Sequence, residues 1–387
     1  MPPLDSIAAS HDEMTGWRRD IHAHPELGFE EERTAGLVAE RLEAFGIEVT
    51  RGVGKTGVVG RLRVGNSPRA IGLRADMDCL PILEANRFAH RSTHDGRMHA
   101  CGHDGHTTML LGAAKYLAKT RNFDGTVHFI FQPAEEGRGG AEAMLADGLF
   151  ERFPCDAIFG MHNRPGLAVG KFQIRPGPMM AGGGSFTINV AGVGAHGARP
   201  EAGVDPIVVG AQIVSGLQTI VSRNVGPLDM AIITVGAIHA GEAPNVIPET
   251  AEMRLSVRAL KPEVRSYLEA RIQEVVHAQA AVYNARAEID YQRRYPVLVN
   301  DVEMTTFATQ VARDWVGDDG LIATMQPLTG SEDFAFMLER CAGAYLIIGN
   351  GDGEGGCMVH NPGYDFNDDC LATGAAYWVR LAQAFLV

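Results

Sequence analysis

The chain has 387 residues, 45% of them hydrophobic and 21% charged, with a formal net charge of −13 and a pI near 5.5. That length predicts two domains rather than one core, and an acidic chain without Lys or Arg runs excludes nucleic acid and anionic membrane surfaces as partners. No stretch reaches the roughly 18 apolar residues of a membrane span, no basic-then-apolar leader opens the chain, and the six cysteines form no Cys-x-x-Cys pair, so a soluble cytoplasmic protein with reduced thiols is expected.

Residues 6–24 read as a helix with Ser6 as N-cap and Pro25 as its end, followed by a helix over 30–45 closed by Gly46. The intervening HAHPELGFEE holds His22, His24 and Glu26, read as helix-end surface groups with a place on a cleft rim as the alternative. GVGKTG at 52–57 suggests a phosphate loop, but the glycine required five residues before Gly-Lys is Val49, and a strand follows instead of a helix. A nucleotide site is therefore rejected. A short β-like run over 69–78 ends in Asp76 and Asp78.

Residues 98–106, Met-His-Ala-Cys-Gly-His-Asp-Gly-His, concentrate a thiol, three imidazoles and a carboxylate. On a non-helical loop Cys101 and His103 can face one centre, and thiolate with imidazole is a donor set for zinc, manganese, cobalt or nickel. A helix follows over 107–120, then a buried-type strand 126–132 running into Glu135-Glu136, then a strand 156–162 ending in His162. Acids or imidazoles thus stand at three successive strand ends, the edge where α/β sheets bind ligands.

From 183 to 296 the order changes to strand 185–193, helix 204–222, strands 230–238 and 249–259, helix 261–280 and strand 286–291, a βαββαβ ferredoxin-like insert. The α/β rhythm resumes with helices 301–315 and 331–340, strand 344–349, a glycine-rich loop carrying His360, and a helix 371–386. The fold class is therefore α/β, with a discontinuous catalytic domain (1–182 and 297–387) interrupted by a domain at 183–296.

Cys101, His103, Glu136, His162 and His360 are about the number of ligands that a pair of divalent ions sharing a water needs. In the tandem Glu135-Glu136, one carboxylate can bind metal while Glu135 moves a proton from water to a leaving amine. Asp76 and Asp78 stand behind them, to orient an imidazole or neutralise the site. His94, His99 and His106 are assigned to packing or support.

The motifs ADMDCLP, HACGHDGH, QPAEEG, GMH, GVGAHGARPE, APNVIP, GSEDF and VHNPGYDFND, in this order over nearly the whole chain, resemble the M20 metallopeptidases. They are most similar to the branch of hippurate hydrolases, N-acyl amino acid amidohydrolases and indole-acetyl-amino-acid hydrolases. The resemblance implies a zinc-peptidase-like catalytic domain and a ferredoxin-like lid that forms a homodimer or a dimer-based tetramer. It implies two divalent ions (Mn, Zn, Ni or Co) on Cys101, His103, Glu136, His162 and His360, with Glu135 as general base. His196 is implied to stabilise an oxyanion in the partner's site, and Asn245 and Arg258 to hold the substrate's carbonyl and carboxylate, although Arg254 shares the face of Arg258. Asp76 stands where the peptidase branches place a metal-binding His, which favours N-acyl amino acids as substrates over dipeptides cut by a dipeptidase or aminopeptidase.

Overall fold

A computed structural model describes residues 3–322, 325–352 and 356–387; residues 353–355 of the glycine-rich loop lie outside it. It divides into two compact units, one of residues 1–177, 299–326 and 333–387, the other of residues 178–298 and 327–332.

The first unit is built on a mixed eight-stranded sheet in the order 48–53, 57–64, 125–132, 70–76, 157–165, 343–351, 172–173, 321–322. Its four central strands, Gly125–Gln132, Ala70–Asp76, Ala157–Pro165 and Gly343–Gly351, run parallel. Every residue of Ala70–Asp76, Gly125–Gln132 and Gly343–Gly351 is buried, which explains their continuous apolar runs. Helices His103–Thr120 and Cys370–Phe385 supply much of the core, with Leu110, Leu111, Leu117, Trp378, Val379 and Leu381 packed with Phe129, Phe159 and Leu346 of the strands.

The second unit is an antiparallel sheet in the order 231–240, 250–259, 182–191, 286–293, joined through helices Pro206–Thr219 and Pro262–Val282. This is a split βαββαβ pattern. Thr250–Ala259 alternates buried and exposed positions, as a sheet with one covered face requires. Met253, Leu255 and Val257 meet Val209, Ile213, Leu268 and Ile272 of the helices. Asp205 caps the first helix by accepting from the Ile207 amide at 2.8 Å.

Several expected boundaries move. The helix expected over 6–24 is two, Pro3–Ala8 and His11–Ala23, because the Ser10 amide closes on Ile7 O and Ser10 O opens the next helix. The helix expected from 107 begins at His103, after Gly102 in the left-handed region (φ +99°). His103 and His106 therefore sit in its first turns and not on a loop. The strand expected to end at His162 continues to Pro165. The helix expected over 331–340 shrinks to Phe334–Leu338, with Asp333 at its N-cap and the Asp333 carboxylate accepting hydrogen bonds from Gln132 Nε2 and the Ala141 amide.

Gly105 lies on the face of helix His103–Thr120 that meets Phe366, where an added Cβ would stand 2.3 Å from the ring. Gly105→Ala is expected to lower the urea unfolding free energy by about 1–3 kcal/mol despite its better helix propensity; an unchanged or raised midpoint would show that the ring moves aside without cost.

Candidate metal and catalytic site

Of the four parallel strands the chain makes 70–76 first, then crosses to 125–132 on one side and returns to 157–165 on the other. Connections that leave adjacent strands in opposite directions open a crevice at the carboxyl edge. Asp76 and Asp78, Glu135 and Glu136 stand at that edge, His162 lies on the third strand, and His360 follows the fourth.

The structure brings the expected donors of this unit together. Cys101, His103 and His162 offer ligand atoms within 4.8 Å of one another, as do Cys101, Glu136 and His360, and also His103, Glu135 and Glu136. Cys101 Sγ is 3.2 Å from His162 Nε2, and His360 Nε2 is 3.2 Å from Glu136 Oε1. The loop of His360 is tied down by its own amide donating to Ala100 O at 2.6 Å. Cys101, at the shared corner of two of these groups, is buried.

The supporting hydrogen bonds fix which nitrogens face the cluster. His103 Nδ1 donates to Asp78, 2.9 Å from its carbonyl and 3.1 Å from Oδ1. Its buried Nε2 makes no hydrogen bond of sound geometry. His162 Nδ1 donates to Asn163 O at 2.7 Å, leaving the Nε2 lone pair toward Cys101. Burial, reinforced by His106, pushes His162 down to about 3, so its ring is neutral. Asp78 Oδ2 accepts the Glu136 amide at 2.9 Å, so one carboxylate steadies both His103 and the turn carrying Glu136. A thiol, an orphaned buried imidazole nitrogen, a neutral imidazole and carboxylates within a few ångströms are chemically suited to divalent cations.

Asp76 meets different partners. Its Oδ1 accepts from His106 Nδ1 at 2.7 Å and its Oδ2 from Arg74 Nη1 at 2.6 Å. Burial alone would raise this carboxyl, but His103, Arg74 and His106 hold it well below the usual range. The other nitrogen of His106 lies 2.8 Å from Asn163 Oδ1. Glu135 is buried at 6% exposure, and its Oε1 accepts the Asp333 amide at 3.3 Å.

His196, Asn245 and Arg258 lie in the second unit. His196 sits on a short exposed strand pairing with Val246–Ile247, and Asn245 O accepts the Gly197 amide at 2.8 Å. Arg258 donates to Thr329 O and Ser331 Oγ, both at 3.0 Å, whereas Arg254 is spent on Glu252.

Sequence reasoning missed the charged support of the site. Arg74 and Asp333, 259 positions apart, are joined at 3.2 Å inside the fold; the even spacing of Arg74 and Asp76 along a strand was the available signal. The surface reading of His22 is corrected, because the ring is fully buried. Its Nδ1 is 2.9 Å from Asp104 Oδ2 and its Nε2 3.2 Å from Glu84 Oε1. Two carboxylate partners require two N–H donors, hence an imidazolium. Arg18 is buried beside it, bonded to Asp104, Asp365 and Asp368. His24 and Glu26 are partly buried: the His24 ring contacts Asp20 O, and Glu26 accepts from the amides of Arg33 and Thr34.

Residues 72–384 match Peptidase family M20/M25/M40. The chain is 46% identical over 369 residues to the hippurate hydrolase of Campylobacter jejuni, covering 95% of each. It is 39% identical to an IAA-amino acid hydrolase of Arabidopsis thaliana, covering 97% of this chain and 86% of that one. The crystal structure of a dinuclear metal-binding M20 peptidase of Bacillus subtilis superposes with a TM-score of 0.86 at 34% identity, covering 98% of this chain and 99% of that one.

Burial opposes charge on His22, but its hydrogen bonds to Asp104 and Glu84 push it up to about 9 from 6.5. The stability this provides is complete below pH 6.5 and is lost as the pH rises through about 9. Over that window the unfolding free energy is expected to fall by about 2–3 kcal/mol more in the wild type than in His22→Gln; parallel pH profiles from urea titrations would refute the imidazolium.

Proposed function

From the premise that this chain belongs to peptidase family M20/M25/M40, we propose that it is a metal-dependent amidohydrolase releasing a carboxylic acid and an amino acid from N-acyl or N-aroyl amino acids. The observation that carries this is the convergence of Cys101, His103, Glu136, His162 and His360 beside the buried Glu135. The hippurate and IAA-amino acid hydrolases among its relatives support the substrate class.

In this reading Cys101, His103, Glu136, His162 and His360 hold two divalent ions, Mn, Zn, Ni or Co. Bound there, the ions supply Lewis acidity that activates a water and polarises the scissile carbonyl. Glu135 takes the proton from the attacking water and delivers it to the amide nitrogen as the C–N bond breaks, so atoms and charge balance. Asp78 keeps His103 in the Nδ1–H form, and Asp76 does the same for His106. Asn245 holds the substrate carbonyl, the Arg258 guanidinium its carboxylate, and His196 reaches the oxyanion in the partner subunit of a homodimer or dimer-based tetramer. Cys79, Cys101, Cys155, Cys341 and Cys370 are free thiols, which supports a reducing, cytoplasmic setting. Among the described residues no helix is long and apolar enough to cross a membrane.

The second reading, a dipeptidase or aminopeptidase, draws on the peptidase identity of the Bacillus relative. N-Benzoyl- and indole-acetyl-amino acids should be turned over faster than unblocked dipeptides of the same amino acid; the reverse order favours the second reading.

Chelation should abolish turnover, and at least one of Mn, Zn, Co or Ni should restore it; protein that stays fully active when stripped would overturn the metal-dependent reading. Glu135→Gln is expected to bind the same complement of metal while kcat falls about 100-fold or more. Retained turnover removes Glu135 from the reaction.

A further inference from the structure

Two motifs that the proposed reaction leaves unused, HAHPELGFEE and GVGKTG, meet inside the first unit at one carboxylate. Glu31 is fully buried. Its Oε2 accepts from Thr56 Oγ1 at 2.5 Å, and its Oε1 accepts the Ala134 amide at 2.8 Å. Ala134 immediately precedes Glu135 and has φ +53°, a left-handed conformation that costs a residue with a Cβ.

The surroundings close on that turn. The Gly140 amide donates to Ala134 O at 3.0 Å. An added Cβ on Gly28 would stand 3.0 Å from Ala134, and one on Gly140 would stand 1.6 Å from Pro133 O. Arg138 Nη1 donates to Gly28 O at 2.9 Å. Phe29 and Lys55, which carry the two motifs, are themselves at positive φ, and the Lys55 ammonium lies 3.9 Å from the Phe29 ring centroid. Three of the non-glycine residues at positive φ among those described therefore gather around Glu31. A strained conformation persists where its neighbours over-determine it, and here the acceptor that fixes Ala134 is a side chain about a hundred residues away.

We propose that Glu31 is a positioning residue: by capturing the Ala134 amide, and being held in turn by Thr56, it keeps the turn after strand 125–132 in the strained form that aims Glu135. Glu31 touches neither the metal-type donors nor the substrate in this role; what it contributes is the direction of the next carboxylate. The inference rests on the reading of Glu135 as the base.

The test is made on the full-length, metal-loaded enzyme. Glu31→Leu removes the acceptor, and hydrogen exchange of the peptide spanning residues 130–140 is expected to accelerate about tenfold or more. Its kcat should fall about 10–100-fold with KM and bound metal little changed, as expected when a reacting group is misplaced by an ångström. Glu31→Gln keeps an oxygen for the Ala134 amide, and its amide group can donate to Thr56, so exchange and kcat should stay within about threefold of the wild type. Thr56→Val, milder and safe if Glu31→Leu fails to fold, should move both readouts in the same direction by a smaller factor. Unaltered exchange in both Glu31→Leu and Thr56→Val overturns the proposal, as does a Glu31→Gln variant as impaired as Glu31→Leu. Failure of the Glu135 reading would appear separately, as retained turnover in Glu135→Gln with the exchange response intact.

Discussion

Everything at the carboxyl edge depends on the pairing of a charge that the central strand buries. Arg74 lies in the middle of a strand with no exposed residue, where an uncompensated guanidinium could not persist. Its fork is satisfied by three different pieces of chain: Asp76 on its own strand, Gln132 at the end of the neighbouring strand, and Asp333 before helix Phe334–Leu338. Gln132 also donates to Asp333 at 2.7 Å. Replacing such a network by apolar groups costs little in stability, whereas breaking it from one side costs a great deal. Its consequence is geometric: the three backbone segments bearing Asp76, Glu135 and Asp333 cannot shift independently.

That rigidity explains why one chain end after another delivers a reactive group to the same place. Parallel strands put their carboxyl ends on one edge, and the reversal of winding about strand 70–76 opens the crevice there. Asp76 ends its strand and Asp78 follows two residues beyond it, both buried, while Glu135 and Glu136 lie beyond the next strand in a turn whose backbone is pinned at Ala134 and Gly140. The site is thus made of side chains at strand ends, and its precision comes from backbone amides captured by buried carboxylates: Asp78 on Glu136, Glu31 on Ala134, Glu135 on Asp333.

What the sequence revealed and what it concealed follow from range. Apolar runs of six to eight residues flanked by acids or imidazoles announce buried parallel strands, so the α/β class and the edge carrying Cys101, Glu136 and His162 could be read directly. The βαββαβ order of the second unit was legible because its turns and periodicities are local. A helix boundary moved where the backbone could turn unannounced: His103 entered a helix because Gly102 turns through φ +99°. His22 looked like a helix-end residue because its partners, Asp104 and Glu84, lie 82 and 62 positions away. A buried imidazolium leaves no local signature.

The histidines show how hydrogen bonding, and not residue type, divides the labour. His22 has both nitrogens on carboxylates, and His106 has one on Asp76 and the other on Asn163, so neither has a lone pair to offer without giving up a partner. His103 commits Nδ1 to Asp78 and leaves its Nε2 without a hydrogen-bond partner among the described residues, while His162 commits Nδ1 to Asn163 O and turns Nε2 toward Cys101. A cation needs an imidazole lone pair with the other nitrogen's proton held elsewhere, and a committed Nδ1 with an uncommitted Nε2 separates His103 and His162 from the other two rings although all are buried or partly so. The spacing of His103 and His106, three apart on one helix, would have suggested equivalent roles. What distinguishes them is that Asp78 leaves one nitrogen of His103 without such a partner, while Asp76 and Asn163 together enclose His106.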